Sequence, residues 1–378
     1  MKLTIKDVAH FRRTFYSFVK EVLHGKYVEP VPMVNNGYLH TLNASFDGLF
    51  LREQQSDSLL VANRTMNFGT IQPCIRTEDK LAEKRSLLHL GLFNICGYSM
   101  LDFGEMSTDE MVERTIEEFF TFYTKYLHLD PRLLRIYIFG GGTLRKITGG
   151  VIRNDEYIKS DDFSVNLWKR FGIPENQLIR EYSKETFLLH LGNPLREHHV
   201  GYRNDIFMQV GDGLYEVATL NFISHQTVIE NNEIIGIKKL PFYLREMAVG
   251  QERILAAIIG AHNLYALPYI KPLLEAIRQK IKDKQKALIF TDALRVIHYF
   301  FSDGWTYERL RGKRYREHRH ELNKFMEIIA MYGKSLEPND LSSFLKLNAN
   351  LQSWYPVLQK GMALTIREIN QFNIKLKG

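Results

Sequence analysis

The chain opens on a helical rhythm. Val8, Phe11, Phe15, Val19 and Val22 recur at intervals of three and four, lining one helix face, and Gly25 supplies a stop. Apolar runs at 57–62, 70–76 and 87–96 predict strands. Ser107-Thr108-Asp109-Glu110 then reads as a capping box, because the Ser hydroxyl and the Glu carboxylate can each satisfy an end N–H. The helix it opens carries Met111, Phe119, Tyr123 and Tyr126. Further strands are predicted at 134–139, 187–191, 206–210 and 214–223.

The rhythm changes at Glu246. Residues 246–261 predict a helix, and everything after them reads as helices joined by polar turns. Leu273, Leu274, Ile277 and Ile281 form one apolar stripe; Leu294, Ile297, Phe300 and Phe301 form another. Strands first and helices later predict an α+β fold: an antiparallel sheet flanked by helices, then an all-helical domain. The boundary is set at 262, giving domains 1–262 and 263–378. No internal repeat or Pro/Ser-rich linker interrupts this plan.

Composition narrows the class. At 378 residues, 45% hydrophobic and 25% charged, the chain can bury a core, which excludes a disordered polypeptide. No apolar run reaches membrane-spanning length, and Met1-Lys2-Leu3-Thr4 leads straight into the first helix, so a cytoplasmic protein is expected. Cys74 and Cys96 are the only cysteines, too few for a disulfide framework or a cysteine-based zinc site. The net charge of +7 suits a polyanionic partner. Arg309, Arg311, Lys313, Arg314, Arg316 and Arg319 crowd one segment of the C-terminal third and make it the candidate RNA-binding surface. His198-His199, His318 and His320 lack a third metal ligand and read as surface histidines, and Gly140-Gly141-Gly142 lacks phosphate-loop spacing and reads as a flexible turn.

Three segments hold candidate chemistry. The first is Thr65-Met66-Asn67-Phe68 followed by Cys74-Ile75-Arg76, Lys80 and the run His89–Gly97; the second is Leu214-Tyr215-Glu216-Val217; the third is Glu246–Ile254, which contains Gly250-Gln251-Glu252-Arg253. An arginine in an isolated turn is ordinarily a solvated charge, and Glu252-Arg253 alone could serve only a helix dipole. In this order and spacing, however, the segments resemble the catalytic core of the alanyl-tRNA synthetases, a class II aminoacyl-tRNA synthetase family, up to roughly residue 335.

The resemblance implies ATP-dependent, AMP-forming activation of a small amino acid, by default alanine, with Mg²⁺ and transfer to tRNA. It implies that Arg76 bridges the amino-acid carboxylate and the α-phosphate, that Lys80 adds charge at the phosphates and that Arg253 braces the γ-phosphate. Gly250 would leave room for the nucleotide, and His89 or Phe93 would stack on adenine. Glu246 would bind the α-ammonium, and Asp205 and Glu216 would be the Mg²⁺ ligands. Around the amino-acid side chain the pattern departs from the family: Leu189 stands for its Trp, Thr219 for its Asn, Ala248 for a Gly and Glu246 for its Asp. The segments matching the family's editing and C-terminal domains are not found, which is expected of a paralogue with another duty. Two alternatives stay open, transfer to a carrier protein or small-molecule amine or thiol, and a non-catalytic paralogue that binds RNA or regulates a partner.

Overall fold

The computed structural model describes residues 4–35, 38–39, 65–76, 87–148, 155–183, 185–187, 199–231 and 233–377. Eight strands among them form one sheet: β1 (Lys26–Tyr27), β2 (Met66–Ile75), β3 (Leu92–Asp102), β4 (Leu134–Phe139), β5 (Leu178–Glu181), β6 (His199–Val210), β7 (Gly213–Glu230) and β8 (Glu233–Gly250). Their order in space is β1-β2-β3-β8-β7-β6-β4-β5. The six inner strands pair antiparallel, as expected. Both outermost pairings are parallel, so the sheet is mixed. A parallel neighbour needs a crossover connection, which the helix between β4 and β5 supplies.

One face of the sheet is covered by α1 (Ile5–Glu21), α2 (Thr108–Thr121) and α3 (Asp162–Arg170). The apolar stripe of α1 buries Val8, Phe11, Phe15 and Val19, as its spacing predicts. Ser107 caps α2 by accepting from the Glu110 N–H at 3.2 Å. Beyond Thr121 the helix widens into a π-turn, Phe122–Tyr126, which sets the Phe122 ring 4.9 Å from Phe18 and 5.7 Å from Phe15. The same face holds a buried ion pair. Arg245 of β8 makes a forked contact with Glu118 of α2, and it also donates to Tyr98 Oη at 3.1 Å and Thr115 Oγ1 at 3.3 Å.

The predicted helix at 246–261 is corrected. Glu246 to Gly250 are the end of β8, and the helix, α4, runs Gln251–Ile258 with Gly250 as its N-cap. Residues 246–249 pair with β7 on one side and β3 on the other, so sheet hydrogen bonding on both edges overrides the helical reading. The run predicted at 87–96 forms its strand later, at 92–102. The expected strand at 57–62 lies outside the described residues, as does most of that at 187–191; Phe187 makes an isolated bridge to Tyr202.

Past Gln251 the chain is helical: α5 (Lys271–Lys280), α6 (Lys284–Ser302), α7 (Arg316–Tyr332), α8 (Pro338–Leu351) and α9 (Val357–Lys377). α5, α7, α8 and α9 gather around α6, which is buried at every position from Phe290 to Phe301. One hydrophobic cluster joins these helices to the sheet, reaching from Val8 to Ile369. Cys74 and Cys96 are buried free thiols, and desolvation pushes both far above the ordinary thiol range. No described helix is long and apolar enough to cross a membrane.

His298 ties three of these helices together. Its Nε2 lies 3.0 Å from the Leu358 carbonyl, which can only accept, so Nε2 carries the proton and Nδ1 accepts from Asn348 Nδ2 at 2.9 Å. Burial pushes its pKa down to about 4. A folded pKa below the unfolded value means the stabilisation is complete above about pH 6.5 and is lost as pH falls toward 4. Up to about 3 kcal/mol should disappear across that window. Urea unfolding between pH 7 and 5 checks this; a His298→Gln chain should lose less on acidification, and equal losses would discard the role.

Candidate active site

The uncovered face of the central strands is the floor of a cavity of about 450 Å³. Strand register explains its lining, because residues opposite one another across antiparallel strands point to the same face. Ser99, Glu246 and Asn221 form one row across β3, β8 and β7, and Gly97, Ala248 and Thr219 form the next. Ile95 and Gly250 continue the pattern toward the strand ends. The small residues Gly97, Ala248 and Gly250 keep this floor low. A methyl group built on Gly250 would meet nothing closer than 3.8 Å.

At one end sits a buried acid. Glu246 is 3% exposed and accepts from Ser99 Oγ at 3.3 Å and Asn221 Nδ2 at 3.1 Å. The other polar atom of that amide, Asn221 Oδ1, is buried with no hydrogen-bond partner. A carboxylate beside an unsatisfied carbonyl oxygen forms an acceptor surface suited to a small cation with several N–H donors.

The other end is cationic. Arg76 leaves the end of β2, anchors its backbone N–H on the Gly91 carbonyl at 2.8 Å, and sets its guanidinium 5.3 Å over the Phe93 ring. Arg253, in the first turn of α4, donates to Glu216 Oε2 at 2.7 Å and to the Leu88 carbonyl at 3.4 Å. Arg203 of β6 reaches the second Glu216 oxygen at 3.3 Å and pairs with Asp205 through its Nε. Burial raises the Asp205 carboxyl to about 7, with Arg203 pulling the other way.

Of the residues singled out in the sequence, Arg76, His89, Phe93, Glu216, Thr219, Glu246, Ala248, Gly250 and Arg253 all line this cavity. Lys80 and Leu189 lie outside the described residues. Asp205 sits behind Arg203 rather than on the cavity wall. The basic run is not one helical face: it is a turn that becomes α7 only at Arg316. Arg309 donates to the Gly304 carbonyl at 2.6 Å and Arg319 to that of Gly312 at 3.0 Å, so both brace the backbone. Arg311, Lys313 and Arg316 are exposed; the side chain of Arg314 lies outside the described residues.

Arg203, Asn221 and Ser99 are not singled out by the sequence, and Glu252 is read there only as a helix-dipole residue. Two-residue spacing puts Arg203 and Asp205 on one strand face, a signal that was present but has no meaning until β7 supplies Glu216. Among the described residues no three His, Cys, Asp or Glu side chains gather to hold a metal ion. Glu216 alone can still join Mg²⁺ that arrives already bound to phosphates, since Mg²⁺ takes one or two carboxylates plus phosphate oxygens and water.

No protein-family model matches the chain. An alanine–tRNA ligase from Fervidobacterium nodosum is 24% identical over 260 residues, covering 62% of this chain and 26% of that protein. The chain is similar to the aminoacyl-tRNA synthetases. It spans about a quarter of the length of that relative. Among solved structures, the RNA binding domain of threonyl-tRNA synthetase from Cryptosporidium parvum Iowa II is 11% identical with a TM-score of 0.38, covering 66% of this chain and 64% of that one. A putative threonyl-tRNA synthetase, ThrRS-1, from Aeropyrum pernix has the same identity and TM-score, with 79% and 70% covered.

If the buried acid receives an α-ammonium group, Glu246→Gln should raise the amino-acid KM roughly 10- to 100-fold, the worth of one charge-assisted hydrogen bond. The ATP KM should hold. Parallel rises in both constants would reduce Glu246 to a structural residue.

Proposed function

We propose that this synthetase-like chain activates a small amino acid with ATP, forming an aminoacyl-adenylate and releasing pyrophosphate. One observation carries the reading: the ammonium-suited acid Glu246 and the cations Arg76 and Arg253 line the same cavity. A carboxylate oxygen of the amino acid bonds to the α-phosphorus as the bond from that phosphorus to the bridging oxygen of pyrophosphate breaks. Such a transfer needs positioning and charge stabilisation more than a nucleophilic side chain. Glu246 and Asn221 would fix the ammonium, which points the carboxylate along the floor toward Arg76. The planar guanidinium fork of Arg76 would hold carboxylate and phosphate oxygens together. Arg253, steadied by Glu216, would face the outer phosphates, and Phe93 or His89 would offer a face to adenine. Magnesium, held by Glu216 and the phosphates, would neutralise charge on the leaving group.

The acceptor in this reading is tRNA, met by the exposed Arg311, Lys313 and Arg316. Amino-acid-dependent ATP–pyrophosphate exchange across the twenty amino acids tests activation, and exchange is expected with alanine, glycine or serine. Absence of exchange with all twenty would favour the non-catalytic RNA-binding or regulatory alternative. tRNA binding should weaken with salt, with a log–log slope of about −0.7 to −0.9 per phosphate contact. Exchange without salt-sensitive tRNA binding would pass the acceptor role to a carrier protein or small molecule.

A further inference from the structure

The nucleotide end of the cavity is not built by the sheet alone. Glu252, between Gln251 and Arg253 at the start of α4, is 1% exposed and lies against three donors. Its Oε2 accepts from the Asn94 backbone N–H at 2.8 Å; its Oε1 accepts from Asn94 Nδ2 at 2.7 Å and from Tyr269 Oη at 2.7 Å. Asn94 follows Phe93, so this carboxylate clamps the two cavity residues Phe93 and Arg253 through their immediate neighbours.

The clamp is closed from the helical part of the chain. Tyr269 comes from the turn before α5, and its ring packs edge-on against Trp354 at 5.3 Å. Tyr355, in the turn between α8 and α9, donates to Asn94 Oδ1. Arg12 of α1 lies 4.9 Å over the Tyr355 ring, donates to its hydroxyl at 3.3 Å and reaches Gln251 Oε1 at 2.8 Å. Just before β3, Asp292 of α6 takes the Gly91 N–H at 2.8 Å, while the Gly91 carbonyl holds the Arg76 N–H. Glu252, Asn94 and Gly91 therefore each have a partner from the helices beyond the sheet.

We infer that Tyr269 and Tyr355 are positioning residues for ATP, making the helices after Leu264 a working part of the activation site. Neither hydroxyl touches the cavity; each fixes Glu252 or Asn94, and these set the separation of Phe93 from Arg253. The amino-acid end is built from Ser99, Asn221 and Glu246 on three strands of the sheet. The inference rests on the proposed ATP site and divides that site's two substrates.

The test is calorimetric titration of the full chain with ATP–Mg²⁺ and separately with alanine, for wild type, Tyr269→Phe, Tyr355→Phe and Ile329→Val. The last trims a core methyl group on α7 and controls for general destabilisation. Each Tyr→Phe chain should bind ATP about tenfold more weakly, the worth of one lost hydrogen bond, with alanine affinity unchanged. Two Tyr→Phe chains on different turns guard against one failing to fold. Wild-type ATP affinity in both overturns the inference and leaves the activation reading standing. Equal weakening in Ile329→Val also overturns it, because loosened packing then suffices. A wild type that binds no ATP overturns the activation reading and the inference with it.

Discussion

Replacing Arg76 by alanine should cut amino-acid-dependent pyrophosphate exchange by two to three orders of magnitude, about 3–4 kcal/mol in the transition state. The size follows from position. The Arg76 backbone is fixed to Gly91 and its guanidinium lies over Phe93, so the side chain is preorganised at the cavity wall. In the proposed reaction the Arg76 fork spans carboxylate and α-phosphate oxygens fully only as the two groups close on each other, so the loss should fall on kcat more than on either KM. Arg76→Lys should recover little, since an ammonium cannot span two oxygens. Initial rates at saturating and limiting ATP separate these terms. A change confined to the ATP KM would demote Arg76 to ground-state binding, and an unchanged rate would remove it from the mechanism.

Removing Glu118 should be the most damaging change to stability. Arg245 is 1% exposed at its side chain and Glu118 8%, so Glu118→Ala would strand a guanidinium between α2 and the sheet. Breaking a buried pair in this way costs about 3–5 kcal/mol, because the remaining charge has lost its counter-ion and cannot reach water. Tyr98 Oη and Thr115 Oγ1 would remain as partners, but neither carries charge. Urea denaturation should show a lower midpoint with an unchanged slope. The double change Glu118→Leu with Arg245→Met should regain most of the loss, since the site then needs only packing. A deficit below about 1 kcal/mol in the single variant would show that water or a rearranged Arg245 satisfies the site.

Much of this was legible in the sequence where one face of an element is buried and the other is wet. The stripe of α1 and the alternation at 134–139 gave their elements directly. Glu246–Gly250 reads as helix because its strand character comes from pairing with β3 and β7, while its two faces, Met247 and Val249 in the core and Glu246, Ala248 and Gly250 on the cavity floor, do not alternate as buried and wet. The stripes assigned to α5 and α6 were real, yet α6 turned out to be enclosed on all sides, which spacing cannot signal. Gly140 and Gly141 looked like a flexible turn, but a Cβ on Gly140 would sit 2.4 Å from the Tyr182 ring and one on Gly141 2.8 Å from Tyr157 Oη. Gly140 lies under the Tyr182 ring, and Gly141 takes φ +91°, a backbone conformation that favours glycine. Of the candidate site, the residues carried by local motifs converge on the cavity. Asn221 and Glu252 act through partners brought by distant strands and turns, which nothing in their own neighbourhoods names, and Arg203 has a local partner in Asp205 but meets Glu216 only across the sheet.

The contact between Arg12 and Tyr355 also has a consequence for how the protein is made. The two residues stand 343 positions apart. At ribosomal rates of about 5–20 residues per second, α1 emerges on the order of 20–70 s before the turn that receives it. Gln251 follows Arg12 by 239 positions and so emerges earlier, but throughout that interval Arg12 lacks Tyr355, and Asn94 lacks the hydroxyl that Tyr355 supplies. The sheet can assemble while the ribosome is still at work, but its nucleotide end cannot finish. Completion waits until the turn that carries Tyr355 has left the exit tunnel, and until then the polar seam around Asn94 and Arg12 is unfinished.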